Sequence, residues 1–257
     1  SKFGKSYYSL TLQDKTGMID GKVWELTNAI GHFEAMDYIL VRGQVTSYQG
    51  SNQLNIQQIR KAQEGEFDMA DYMPSTKKDI DGMFKELLAM ISKTKNQYLK
   101  QLAEKIFIKD KNFAREFKVH SAAKSVHHGY IGGLLEHSLS VAKICESYAN
   151  LYPQLNRDLI VMCALWHDMG KVEELSSFPE NDYTDEGQLV GHIVMGAIKL
   201  DRLIREIPGF PPKLANEVKH CMLAHHGELE FGSPKKPALL EAIALRQACL
   251  LYTSPSP

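Results

Sequence analysis

Histidine and aspartate side chains gather in the second half of the chain, near the predicted ends of helices. Imidazole and carboxylate groups are ligands that borderline divalent metals prefer, and burying several together without an ion would leave many polar atoms unsatisfied. Any one of these histidines alone is more simply explained as a hydrogen-bonded core side chain. The set as a whole predicts a metal centre with six candidate ligands: His137, His167, Asp168, His192, His225 and His226.

The adjacent pair His167 and Asp168, in LWHDMGKVEEL, constrains where an ion can lie. Neighbouring residues of a helix point about 100° apart, so both side chains can reach one centre only near a helix end. Gly170 follows two residues later and is expected to end the helix. At that position the Asp168 carboxylate can bridge two ions.

This order of ligands, a histidine followed downstream by a His-Asp pair, resembles the HD-domain metal-dependent phosphohydrolases. His137, His167 and Asp168 match the first parts of the family pattern, and the later histidines match the extra ligands of members that bind two metals. With the N-terminal strands and the stretch AAKSVHHGYIGGLLEHSLSVAKIC, the chain from Ser6 to Leu245 resembles exoribonucleases of the YhaM type.

The resemblance implies a multidomain chain in which a partial, all-β OB-like barrel precedes an all-α HD domain. It also implies two divalent ions, with manganese the expected metal, and removal of nucleoside 5′-monophosphates from the 3′ end of single-stranded RNA or DNA. Such ions would lower the pKa of a bridging water and neutralise charge on phosphoryl oxygens. Assembly into a homo-oligomer is suggested by the resemblance alone.

Two residues are candidates for the catalytic step, Asp168 and Lys171. Asp168 would hold the ions, and Lys171 could hold a non-bridging phosphoryl oxygen as a mobile point charge. A surface lysine near the C-terminus of a helix explains Lys171 equally well.

From Ser6 to Ile59, apolar and polar side chains alternate with a period of two, which indicates strands. The stretch YYSLTLQDKTGMIDGKVWEL predicts a hairpin that turns at DKTG. The stretch DYILVRGQVTSYQGSNQLNIQQIRK predicts a second pair, with Ile39, Val41, Gly43 and Val45 facing inward. Four short strands suggest a small curved sheet or barrel of the OB type, whose open face binds oligonucleotides.

The outward side of this sheet supplies candidate nucleic-acid contacts at Tyr38, Arg42 and Tyr48, because aromatic rings stack on bases and cations meet phosphates. An ordinary solvated sheet face explains the same residues. Two further candidates are Lys124 and His128, in or beside residues 77–124, where twelve Lys and Arg against six acids leave an excess of six positive charges. Lysines on amphipathic helices usually just face water, so both explanations stand.

Changes in composition divide the chain into four segments. These are an OB-like nucleic-acid-binding domain (1–62), a polar and acidic linker (63–76), a helical HD-type domain (77–249) and a tail that looks non-native (250–257). The chain starts without methionine, so the first OB strand is expected to be missing. At the other end the resemblance implies a closing aspartate where Cys249 stands, and we expect the chain to be weakly active or inactive.

Composition excludes several other classes. A net charge of −1 gives no overall case for nucleic acid, so that case depends on local patches. The four cysteines are scattered without a CxxC pair and are expected to be reduced core residues. Neither an apolar run of about 18 residues nor a leader sequence is visible, so no membrane contact and a cytoplasmic location are expected.

Two other functions stay open. An HD enzyme that acts on nucleotides or cyclic dinucleotides would carry the same ligands, but it would ignore long polymers. A non-catalytic module could instead bind nucleic acid through the sheet while the helical half is structural. Such a module would show binding without metal-dependent turnover.

Overall fold

The structure, a computed structural model, describes residues 7–25, 27, 29–48, 50–68, 71–72, 75–123, 130–178 and 180–253. The chain divides into two compact units, residues 1–74 and 75–257. Strands form the first unit and helices the second. The predicted order of an all-β segment before an all-α domain is therefore confirmed.

One sheet occupies the described part of the first unit and contains β1 (Tyr8–Asp14), β2 (Gly17–Val23), β3 (Ile39–Tyr48) and β4 (Ser51–Lys61). The strand order is β1-β2-β4-β3, with β2 and β4 parallel and the outer pairs antiparallel. The first hairpin turns at the predicted DKTG segment, where the Asp14 carboxylate accepts hydrogen bonds from the backbone N–H groups of Thr16 and Gly17. Aspartate favours this turn because its side chain supplies a local acceptor.

A bulge in β4 decides which side chains face the small core of the sheet. Between Arg42 and Gly43 the pairing of β3 with β4 skips one residue of β4. Ile56 and Ile59 are consequently both buried, although they are three residues apart. The backbones approach closely here, since a Cβ atom on Gly43 would lie 2.2 Å from the carbonyl oxygen of Asn55.

Two side chains predicted to face inward on β3 are exposed, so that part of the prediction is wrong. Val41 pairs with Ile59 and Val45 pairs with Leu54, yet both valines are exposed. The alternating pattern identified the shared face of the sheet. It does not report whether another element packs over that face.

The helical unit begins with α1 (Ile80–Ser92), α2 (Gln97–Glu104), a π-helical turn (Lys105–Lys109), α3 (Lys111–Val119) and α4 (Gly133–Leu151). Side-chain caps fix where the first three α-helices start. Asp79, Asn96 and Asp110 accept hydrogen bonds from backbone N–H groups in the first turns of α1, α2 and α3 respectively. These caps satisfy donors that no helical carbonyl can reach.

The unit continues with α5 (Arg157–Trp166), α6 (Lys171–Glu174), α7 (Asp185–Val190), α8 (His192–Arg205), α9 (Pro212–Ala224), a 3-10 turn (Leu229–Phe231) and α10 (Leu240–Thr253). All residues of α5 from Leu159 to Trp166 are buried, and α4 packs beside it. A helix that is apolar all round must be surrounded by other elements. None of the described helices is long and apolar enough to cross a membrane. Because α5 ends in the core, the residues that follow Trp166 start inside the protein.

The helical core also contains the predicted reduced cysteines. Cys145, Cys163 and Cys221 are free thiols and are buried. Burial raises the pKa of Cys145 and of Cys163 well above the usual thiol value, so neither forms a reactive thiolate. Their contribution is packing.

Replacing Leu87 by alanine tests the helical core. Leu87 is fully buried on α1, and loss of a buried leucine side chain lowers the free energy of unfolding by about 2–5 kcal/mol. Leu189→Ala is the matched control, because Leu189 is 85% exposed, and it should change stability by less than about 0.5 kcal/mol. Urea denaturation followed by circular dichroism measures both, and equal effects would contradict the described packing.

Candidate metal centre

Two helices place a histidine by the same local arrangement. His167 is the residue after α5, and His225 is the residue after α9. In each case Nδ1 lies close to the carbonyl oxygen three residues earlier, at 2.8 Å from that of Ala164 and 2.6 Å from that of Met222. A carbonyl oxygen only accepts, so Nδ1 carries a hydrogen in both residues, and whenever the imidazole is neutral its Nε2 keeps a lone pair.

His192 is the first residue of α8 and is held by Glu174, the last residue of α6. Glu174 Oε1 accepts hydrogen bonds from the His192 backbone N–H at 2.9 Å and from its Nδ1 at 2.8 Å. Burial acts to raise the pKa of Glu174, but the bonds from His192 outweigh it and lower that pKa. A charged carboxylate therefore orients the ring so that its Nε2 faces Asp168.

His137 lies inside a helix, as the fifth residue of α4, and this corrects the prediction that it stands at a helix junction. Its neighbour Glu136 anchors this part of α4. The Glu136 carboxylate accepts hydrogen bonds from the hydroxyl groups of Thr76 and Tyr130, and it pairs with the Lys78 ammonium at 2.9 Å. The first turns of α4, and His137 with them, are thereby fixed.

The Asp168 carboxylate stands between two groups of imidazoles. Oδ1 lies 3.4 Å from His192 Nε2 and 3.5 Å from His225 Nε2. Oδ2 lies 3.3 Å from His167 Nε2 and 3.4 Å from His137 Nε2. The structure thus forms one cluster of possible ligand atoms from Asp168, His192, His225 and His226, and a second from His137, His167 and Cys249, each within 4.8 Å. All six predicted ligands are brought together.

The charge of Asp168 is maintained deep in the protein, where this residue is 2% exposed. Burial acts to raise its pKa, but Lys171 and His167 outweigh burial and hold the pKa well below its usual range. Burial opposes charging of His167 too, yet the Asp168 charge raises the His167 pKa well above the usual value. For His225, burial outweighs the opposing effect of Asp168 and lowers the pKa to about 3. Its imidazole is therefore neutral and able to bind a cation.

Lys171, predicted as a catalytic residue, lies beside Asp168. Its ammonium is 2.9 Å from Asp168 Oδ2 and donates a hydrogen bond to the Ala122 carbonyl oxygen at 2.8 Å. Its side chain is largely buried, so the explanation as an ordinary surface lysine is wrong.

The buried polar atoms of this site fit a divalent cation. Among the described residues, Asp168 Oδ1, His192 Nε2 and His225 Nε2 are buried without a hydrogen-bond partner, which is unfavourable unless a cation satisfies them. Two ligand atoms that each lie about 2.1 Å from one ion are about 3.0–3.4 Å apart. The observed 3.4 and 3.5 Å are close to that separation. Imidazole nitrogen and carboxylate oxygen are also the donors that such ions prefer.

Cys249 lies on α10, at the place where an aspartate was expected. It belongs to the second group of possible ligands, with His137 and His167. A thiolate is a softer ligand than a carboxylate. This group therefore offers sulfur where the pattern of the resemblance has oxygen.

Gly170 does not end a helix in the predicted way. Its backbone is right-handed, with φ −67° and ψ −17°, and it directly precedes α6. A Cβ atom at Gly170 would lie 2.1 Å from the carbonyl oxygen of His192. The glycine thus allows the turn that carries Asp168 to approach the start of α8.

Two cavities open beside the centre. One of about 280 Å³ is lined by Asp168, Lys171 and Phe231 among others. The other, of about 360 Å³, is lined by Lys171, Tyr183 and His192 among others. Lys171 lies on the wall that both share.

The structure does not bring the predicted nucleic-acid contacts together as it does the candidate ligands. Tyr38 is not open for stacking, since its ring stacks on Phe67 with centroids 4.0 Å apart and meets the edge of Tyr72. Its assignment to an open face is therefore wrong. Arg42 is exposed on β3 and stays a prediction. Outside the described residues lie Lys124, His128 and the side chain of Tyr48.

The sequence prediction missed Glu174. A glutamate six residues after Asp168, on the short stretch KVEEL, was the available signal. The adjacent Glu173 carries the same signal, but its carboxylate pairs with Lys199 at the surface. Only the folded position of α8 distinguishes the two.

Comparison with known proteins agrees with this site. A family model described as the HD domain matches residues 134–253. Together with the cluster of histidines around Asp168, this match defines the chain as an HD-type metal-dependent hydrolase.

Three curated relatives are each named 3′–5′ exoribonuclease YhaM. That of Listeria innocua serovar 6a is 33% identical over 253 residues, or 98% of this chain and 80% of the relative. That of Bacillus velezensis is 34% identical over 241 residues (93% and 76%), and that of a Geobacillus strain is 33% identical over 241 residues (93% and 73%). The chain belongs to the YhaM family of 3′–5′ exoribonucleases. No solved structure matches it.

Removal of Glu174 should weaken metal binding by this protein. Glu174→Ala deletes the acceptor that orients His192, and loss of such a partner lowers metal affinity by about 10- to 100-fold. Glu174→Gln keeps an acceptor oxygen and should fall between the alanine variant and the parent. Isothermal titration of the RNA-free protein with Mn²⁺ measures the affinities.

The matched control is Glu173→Ala on the same short helix, which should bind Mn²⁺ like the parent. If Glu174→Ala also bound like the parent, Glu174 would have no part in orienting His192.

Proposed function

We propose that this chain removes nucleoside 5′-monophosphates from the 3′ end of single-stranded RNA, and of single-stranded DNA as a second substrate, with two divalent ions, most favourably manganese. The observation that carries the proposal is the Asp168 carboxylate, whose two oxygens face different groups of imidazoles. A carboxylate in that position suits a pair of ions. Membership of the YhaM family supports RNA as the substrate and the 3′ end as the point of attack.

The ions would be held by Asp168 with His192, His225 and His226 on one side and with His137 and His167 on the other. Bound there, they would lower the pKa of a water molecule and neutralise charge that develops on the phosphoryl oxygens. The chain's own contribution is to fix the ligands. Helix ends and the Glu174 carboxylate hold the imidazole rings before substrate arrives.

Among the described residues, Lys171 has two hydrogen-bond or ion-pair partners, which leaves one donor for the substrate. An ammonium group carries three N–H donors, and Asp168 and Ala122 engage two of them. The third can donate to a non-bridging phosphoryl oxygen. Because the side chain is confined between those two partners, its charge is positioned before the reaction and acts in a partly water-excluded site.

The smaller of the two cavities beside the centre supports attack at the end of a nucleic-acid strand. Its volume of about 280 Å³ is near the lower limit of about 300 Å³ for small-molecule sites. It has room for the terminal nucleotide of a single-stranded nucleic acid rather than for a duplex.

The first unit has an exposed surface that is suited to binding single-stranded RNA. Tyr7 and Trp24 are exposed and stack on one another with ring centroids 4.9 Å apart. The ammonium of Lys22 lies 6.0 Å from the centre of the Tyr7 ring. Aromatic rings beside a cation bind bases and phosphates with little preference for sequence, so we propose that residues 1–62 bind the RNA.

A 5′-labelled single-stranded RNA incubated with Mn²⁺ tests the function. We expect a ladder that descends from the 3′ end, and nucleoside 5′-monophosphates as the products on chromatography. The ladder should be weak in this chain, because Cys249 stands where an aspartate is expected. Asp168→Asn removes the shared charge and should abolish the ladder. Asp201→Asn, in a surface ion pair with Arg205 and Lys219, is the control and should leave the ladder unchanged.

Two outcomes would contradict the proposal. Binding of RNA without cleavage in any metal would favour a non-catalytic module. Hydrolysis of mononucleotides or cyclic dinucleotides, with intact polymers, would favour a nucleotide phosphohydrolase.

Replacing Cys249 by aspartate should strengthen the second group of ligands. An oxygen anion beside His137 and His167 offsets more of the charge of a hard ion than a thiol does. We expect Mn²⁺ affinity to rise by about 10- to 100-fold, the scale on which single partners of a metal site act, and the rate of the ladder to rise with it. Cys249→Ala is the control, and equal affinities in both variants would show that position 249 does not reach the ion.

A further inference from the structure

A short turn after the last pair of histidines carries an exposed aromatic ring. The 3-10 turn Leu229–Phe231 follows His225 and His226 by two residues. Both Leu229 and Phe231 are 61% exposed. Phe231 lines the cavity that contains the metal centre, whereas Leu229 is not among its lining residues.

This turn is tied to the candidate ligands. His226 Nδ1 donates a hydrogen bond to the Phe231 carbonyl oxygen at 2.8 Å. The Phe231 backbone N–H in turn donates to the Glu228 carbonyl oxygen at 3.1 Å. The Phe231 backbone is therefore held at a fixed place relative to the centre, and its ring is open to solvent.

The lining of the cavity offers two kinds of chemistry. Asp168, Lys171 and the histidines supply charged and polar groups, which suit a phosphate and its ions. Phe231, Leu250, Ala122 and Ala123 supply apolar groups. A single exposed phenylalanine needs no explanation on most surfaces, but here it lies beside a charged cavity that opens to solvent.

A nucleotide carries the same two chemistries, a charged phosphate and a flat base. An enzyme that shortens strands of any sequence must hold each new terminal base without reading its edge. Stacking on an aromatic face does this, because every base has a π-face.

We propose that Phe231 is the surface on which the base of the 3′-terminal nucleotide stacks, so that the last phosphodiester lies over the metal centre. The inference rests on the proposed function and adds a substrate-binding residue to it. Phe231 contacts the base, while Asp168 and Lys171 act on the phosphate.

Steady-state digestion of a short single-stranded RNA tests this with three variants. Phe231→Ala should raise KM by about 5- to 100-fold, the effect that loss of one base–aromatic stack has on binding. Phe231→Trp keeps a ring and should restore KM. Leu229→Ala is the matched control, equally exposed on the same turn, and it should behave like the parent.

The terminal base provides a second readout. Removing that base from the RNA should raise KM for the parent by a similar factor, and it should have no further effect on Phe231→Ala. A 3′-terminal 2-aminopurine, with a phosphorothioate in the last linkage to slow cleavage, should lose fluorescence on binding the parent and not on binding Phe231→Ala.

The outcomes separate this inference from the proposed function. If neither the parent nor Cys249→Asp gives a ladder, the proposed function fails. If the parent gives a ladder and Phe231→Ala matches Leu229→Ala in KM and in fluorescence, stacking on Phe231 is refuted. If the abasic substrate and Phe231→Ala have independent, multiplicative effects, the base binds elsewhere and the inference is likewise overturned.

Discussion

The helical unit is organised around one buried negative charge, the carboxylate of Asp168. An isolated carboxylate in a protein interior is unfavourable by several kcal/mol unless cations compensate it. Lys171 compensates one oxygen at 2.9 Å. Around the other oxygen, the Nε2 atoms of His192 and His225 bring further acceptors. Acceptor faces acceptor there, and such an arrangement becomes favourable only when a positive charge lies between them.

The placement of that charge depends on the packing of one helix. α5 is apolar on every side and runs through the core, so its end delivers His167 and Asp168 to the interior. Other elements must then reach the same point. Gly170 has no side chain to keep the start of α8 away from Asp168. The ion pair of Glu136 with Lys78 fixes the start of α4, which carries His137. The positions of the candidate ligands therefore depend directly on how the core helices pack.

The cluster of candidate ligands could be predicted from the sequence because their types are unusual for an apolar interior and because most of them lie near helix ends. Residues that contact the site only because of the tertiary fold could not be predicted from the sequence. Glu174 and Glu173 are indistinguishable until the start of α8 is known. Tyr38 is covered by Phe67 and Tyr72, which come from a stretch that composition describes only as a linker. Likewise, alternation along β3 could not show that Val41 and Val45 would remain exposed.

The arrangement that ends α5 and α9 has a consequence for variation in chain length. Each imidazole is tied to a carbonyl three residues earlier in the same segment, so the direction of its Nε2 is independent of the loops that join the helices. Insertions in the connections 152–156 or 206–211 would leave the ligands aligned. One residue inserted between Ala164 and His167 would turn that imidazole by about 100°. These connections can therefore diverge or be redesigned, while these two four-residue segments keep their length.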